Sequence, residues 1–157
     1  MKEYRNNGAI GAILDEYEKA LSELKETIHG LSEAELTQIR NTATEDPDCV
    51  SIQTVLAHVV SAGYNYAIAI RKWSGEQLEY KEKIRLPSVE SFQTALDSMF
   101  AYNVQLFEDY PNIPLEEFDT AKKVNVRWGQ TYDVEQLFEH AIVHILRHRR
   151  QIERFLQ

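Results

Sequence analysis

The sequence predicts an all-α four-helix bundle with long connections between its helices. Four segments of twenty or more residues carry apolar side chains at three- and four-residue steps, the spacing that lines one helix face. Capping residues, Gly or Pro bound these segments. At 1.5 Å per residue each is about 30 Å long, the proportion of a four-helix bundle.

Ile10, Ile13, Leu14, Tyr17, Leu21, Leu24 and Ile28 form the stripe of a first helix from about Arg5 to His29, stopped by Gly30. Ser32 with Glu35 is a capping box that opens a short helix through Arg40. The polar stretch from Asn41 to Val50, with Pro47, reads as a loop. Ser51 caps a second long helix over Ile52 to Trp73, ended by Gly75. A charged linker runs to Pro87; Ser88 then precedes a third helix carrying Val89, Phe92, Leu96, Met99, Leu106 and Phe107, closed by Pro111. The connection from Pro111 to Thr131 is long for a compact domain, which suits a segment that covers a site. Its Lys122 to Trp128 piece alternates enough for a short strand. Asp133 with Gln136 caps the last helix, whose apolar face includes Leu137, Phe138, Ala141, Ile145, Ile152 and Leu156. No internal repeat is evident, so residues 1–157 read as a single domain.

Composition narrows the function classes. Seventeen Lys plus Arg against 25 Asp plus Glu give a net charge of −8, a surface that repels nucleic acid. No run of about 18 apolar residues exists to span a membrane, and Met1 to Gly11 lacks the apolar core of a secretory leader, so a cytoplasmic protein is expected. Cys49 is the only cysteine, which precludes an intramolecular disulfide, and its acidic neighbours Asp46 and Asp48 disfavour a thiolate.

The five histidines are His29, His58, His140, His144 and His148. The last three step by four residues, and each step drifts about 40° around the helix. Relative to the stripe of Ala141, Ile145 and Ile152, His148 falls inside, His144 on the shoulder and His140 beyond the edge. Imidazoles at i and i+4 lie close enough to bind one divalent ion from one helix face. His58 is the natural third ligand: it stands on the flank of its helix above Ala62, Asn65 and Ala69, short side chains that leave a hollow. A partly buried His bonded to a backbone carbonyl explains His58 equally well when it is taken alone. Three neutral imidazoles suit zinc or nickel, and a site with only three protein ligands keeps positions free for water or substrate.

Other chemistries lack their residues. The six Gly are scattered rather than gathered into a phosphate-binding loop. Ser and Cys nucleophile signatures are missing. A di-metal site would need Glu-x-x-His, but Glu135 is followed at that spacing by Phe138 and Glu139 by Ile142. Candidate substrate-binding residues are Asn65, near the His58 flank; Asn103, which interrupts an apolar face; and Arg147, beside His144. Each has a structural alternative: a polar boundary residue, an amide bonded to a neighbouring helix, and a charge complementing the helix dipole. Trp128 and Tyr132 either lid a cavity or pack the long loop onto the bundle.

The run His144-Ile145-Leu146-Arg147-His148-Arg149-Arg150-Gln151-Ile152, an HxxxHRxQI pattern, together with His58 on an earlier helix, resembles the DinB-like (YfiT-like) family of metalloenzymes. The similarity covers nearly the whole chain. The resemblance implies an antiparallel four-helix bundle, a divalent zinc or nickel ion on His58, His144 and His148, and a homodimer. Relatives of that family include bacillithiol transferases and mycothiol-dependent isomerases, so the resemblance also implies transfer of a low-molecular-weight thiol to an electrophile. Many members carry Gly where this chain has Arg149 or Arg150. The expectation is therefore a metal-dependent enzyme that activates a thiol or water for transfer to, or hydrolysis of, a small electrophilic substrate. The alternative is a non-catalytic helical module braced by its ion.

Overall fold

A computed structural model describes residues 3–157. Met1 and Lys2, the start of the segment read above as leaderless, lie outside the described residues. The long helices are α1 (Gly8–Ile28), α3 (Ile52–Trp73), α4 (Val89–Asp109) and α5 (Val134–Phe155), with a one-turn α2 (Glu33–Thr37) after α1. A two-stranded antiparallel hairpin, β1 (Val124–Asn125) and β2 (Thr131–Tyr132), interrupts the connection into α5.

Four starts are set by capping boxes in which a side chain accepts the N3 amide and the N3 side chain answers the cap amide. These are Ser32 with Glu35, Ser51 with Thr54, Ser88 with Ser91 and Asp133 with Gln136. Two boundaries differ from the sequence reading. The first helix begins at Gly8 rather than Arg5, because Arg5 folds back to place its amide 3.2 Å from Asp15 Oδ2 and its guanidinium on Asp15 and Glu18. The short helix stops at Thr37 rather than Arg40, because the amides of Arg40 and Asn41 both turn to the carbonyl of Val50.

The long helices pack as a ring in the order α1, α5, α3, α4. Side-chain pairs fix their directions. Tyr17 meets Phe138 while Glu23 meets Arg149, and Gly63 meets Asn103 while Arg71 meets Asp109, so α1 with α5 and α3 with α4 run parallel. His58 meets His148 while Tyr66 meets His140, and Tyr17 meets Phe100 while Lys25 meets Asp97, so the other two edges are antiparallel. The antiparallel four-helix bundle that the resemblance implies is therefore antiparallel at two of its edges and parallel at the other two. The physical reason is the connection from Ser74 to Ser88, which returns along the bundle so that α4 starts level with the start of α3. Gln53 Nε2 donates to Leu86 O at that end, and Lys72 Nζ to Leu78 O at the other.

The core is continuous through the ring, with Tyr17, Leu24, Phe92, Met99, Leu106, Phe138 and Ile145 buried. Burying side chains of this size is worth about 1.5–3 kcal/mol each. On the α3–α4 edge Gly63 makes room for a side chain of the facing helix. A Cβ on Gly63 would stand 2.8 Å from Met99 Cε and closer still to its sulfur, so only glycine admits Met99 there. No helix among the described residues is long and apolar enough to cross a membrane.

Candidate metal centre

The antiparallel α3–α5 edge carries the histidines. Ser51 starts α3 so that His58 faces α5, and Asp133 starts α5 so that His144 and His148 face back on consecutive turns. His144 and His148 are buried and His58 is half-buried. His144 Nε2 stands 2.9 Å from His58 Nε2 and 3.2 Å from His148 Nε2. The three ligand atoms lie within 4.8 Å of one another, the only such group among the described residues.

The donor set fits a divalent transition ion. Nitrogens bound at 2.0–2.1 Å stand about 3.0–3.4 Å apart around an ion with adjacent coordination positions, close to the spacing found. The outer nitrogen of His148 points the same way. His148 Nδ1 lies 2.9 Å from Gln151 Oε1, which can only accept, so His148 carries its proton there and turns the Nε2 lone pair to the cluster. His58 Nδ1 lies 3.2 Å from Asp48 Oδ2, within ionic contact although off the line of a hydrogen bond. His144 Nδ1 is buried without a partner. Lone pairs converging from two or three rings repel one another, and a cation between them removes the conflict.

Electrostatics keep the rings neutral, the form that binds metal. Burial first, then the imidazoles of His148 and His58, pushes His144 down to about 2. Burial likewise lowers His58, helped by His148, and lowers His148 against the opposing bond to Gln151.

A cavity of about 490 Å³ opens from the cluster. His58 and His144 form one wall, and Ala62 and Ala69 the floor on α3, so the short residues beside His58 do leave a hollow. Trp128 and His140 close another side, their rings stacked at 5.3 Å and 25°. His140, read from the sequence as lying beyond the apolar stripe, thus faces the cavity. Gly129, at φ 88°, supplies the left-handed residue that turns the hairpin and presents Trp128. The returning connection contributes Tyr80 and Lys83 as a roof.

The three candidate substrate residues are placed differently. Asn65 lines the cavity, but its amide is committed to the roof: Nδ2 donates to Ser61 Oγ and Lys81 O, and Oδ1 accepts the Lys81 amide at 2.8 Å. Asn103 is not brought to the cavity. It is fully buried between α3 and α4, donating to Gly63 O at 3.2 Å and Met99 O at 2.9 Å. Arg147 is exposed and outside the cavity wall, although its charge helps to hold His140 and His144 down. Arg149 turns away to Glu23 and Glu153.

Sequence reasoning missed Asp48, Gln151 and the roof and hairpin residues Tyr80, Lys83 and Arg127 as parts of the site. Only Gln151 left a usable signal, three residues after His148 and so on the same helix face.

A sequence model described as the DinB superfamily matches residues 16–152. No curated protein matches the chain.

Proposed function

The chain belongs to the DinB superfamily, and from that premise we propose a metal-dependent enzyme that activates a thiol or water for transfer to, or hydrolysis of, a small electrophilic substrate. The observation that carries this reading is the convergence of three imidazole Nε2 atoms beside a cavity that His58 and His144 line, with no fourth protein donor in the group among the described residues. An all-imidazole set suits zinc or nickel. When bound, such an ion supplies Lewis acidity that makes the nucleophilic form of a thiol or water available near neutral pH.

The chain's own residues do the rest. His58, His144 and His148 hold the ion, while Gln151 fixes the ring plane and tautomer of His148, and Asp48 lies against the outer nitrogen of His58. The cavity holds the electrophile beside the cluster. Asn65 serves by fastening the roof, and Arg147 adds positive potential from outside. We include in this reading a low-molecular-weight thiol as co-substrate, a cytoplasmic homodimer and one domain over the chain.

A second reading has the ion only brace α3 to α5, which the placement of the ligands on two packed helices favours. The experiment that separates the two is a turnover assay of zinc- and nickel-loaded protein. Low-molecular-weight thiols would be offered chlorodinitrobenzene, and nitrophenyl acetate would report hydrolysis. The enzyme reading expects activity that His148→Ala abolishes with the helical spectrum retained. Full turnover in a metal-free preparation would refute it.

A further inference from the structure

The cavity beside the cluster has a chemical character of its own. It combines the rings of Tyr66, Tyr80 and Trp128 with the apolar side chains of Ala62, Ala69 and Val126. Its charged wall residues are Lys83 and Arg127, and no carboxylate lines it among the described residues. In a chain of net charge −8 that local excess of cations stands out.

The two cations are not equivalent. Lys83 Nζ is taken by the Asp48 carboxylate. Arg127 has no ion pair among the described residues; its guanidinium lies 4.3 Å from the centroid of the Tyr80 ring. A guanidinium that lies over an aromatic ring without an ion pair keeps N–H groups available, and these can receive a carboxylate through two parallel hydrogen bonds.

We propose that the cavity binds a flat aromatic carboxylate, its ring system among Trp128, Tyr66 and Tyr80 and its carboxylate on Arg127. The volume, about 490 Å³, lies in the range of small-molecule sites and suits a one- or two-ring ligand. Aromatic walls favour a flat unsaturated body through offset or edge contacts. The proposal names a substrate class for the site described above and rests on the reading of that cavity as the active site. Arg127 is the specificity-determining residue in it.

The test uses naphthoate and its neutral counterpart naphthamide, with affinities read by ligand-observed NMR on the full chain, both metal-free and zinc-loaded. Naphthoate is expected to bind at least tenfold tighter than naphthamide in both preparations. Arg127→Gln should remove that preference by weakening naphthoate far more than naphthamide, and Trp128→Ala should weaken both ligands. Equal affinities, no naphthoate binding, or an unchanged preference in Arg127→Gln would overturn the proposal. A preference seen only with zinc would also overturn it, by placing the carboxylate on the ion, yet would leave the enzyme reading standing. Failure of the protein to hold zinc, with the naphthoate preference intact, would do the reverse.

Discussion

His58 Nε2 and His144 Nε2 stand 2.9 Å apart, although 86 positions separate the two residues in the chain. Neither comes from the other's helix, so the contact exists only when α3 and α5 are packed. An ion placed there binds the folded chain and not the unfolded one, and it stabilises the fold by mass action.

Chelation should therefore lower the thermal midpoint, and zinc or nickel should restore it. At an ion concentration a hundredfold above Kd the gain is about 2.7 kcal/mol. His58→Ala, His144→Ala and His148→Ala should each lose the bound ion in elemental analysis and show no such gain. A variant that keeps the full response would show that its ring is not a ligand.

Gln151→Leu should weaken metal binding by about 10- to 100-fold without removing a ligand, because His148 loses the acceptor that fixes its tautomer. Competition with a chromophoric chelator measures this. Unchanged affinity would mean that the ring is held by its packing alone.

The metal-free protein should lose stability in mild acid. Burial holds His144 down to about 2 and also lowers His58, His140 and His148, whereas in the unfolded chain all four titrate near 6.5. As pH falls below about 6.5 the unfolded chain takes up protons that the folded chain refuses. Stability is thus complete above about 6.5 and lost progressively toward the depressed folded values. Thermal midpoints of chelated protein from about pH 8 to about pH 5 check the sign, and His144→Gln should flatten the curve.

Gly63→Ala should cost about 1–3 kcal/mol, since the new methyl meets Met99 and the α3–α4 edge must open. Urea midpoints measure it. Part of the loss should return in the double variant with Met99→Ala, which makes room at the same spot; strict additivity would point to another cause.

The helices and the cluster of three histidines were legible in the sequence for the same reason: both follow helical periodicity. The stripe through Ile145 and Ile152 oriented His144 and His148 inward, and the small residues after His58 marked the hollow that the structure contains. Helix direction was not legible. Whether α4 runs parallel to α3 depends on the path of residues 74–88, an irregular segment without periodicity to read. Asp48 escaped for a similar reason: it sits in the 3-10 turn Pro47–Cys49, and only tertiary packing carries that turn to His58. Asn103 looked like a site residue because an amide on an apolar face needs partners; its Nδ2 finds them in the carbonyls of Gly63 and Met99, while its Oδ1 is buried without one.

The segment from Ser74 to Ser88 has a length consequence. It must travel back beside a helix of 22 residues, about 33 Å, yet fifteen residues of extended chain reach roughly 50 Å. The surplus is slack, and α3 holds that slack at chosen points: Ser61 and Asn65 donate to the Lys81 carbonyl, and Lys72 to that of Leu78. Removing three or four residues from it would still let the bundle close, but the rope would be pulled taut across the hollow. The chamber beside the histidines would then have a different ceiling, because Tyr80 and Lys83 belong to that rope, while its helical walls stayed as they are.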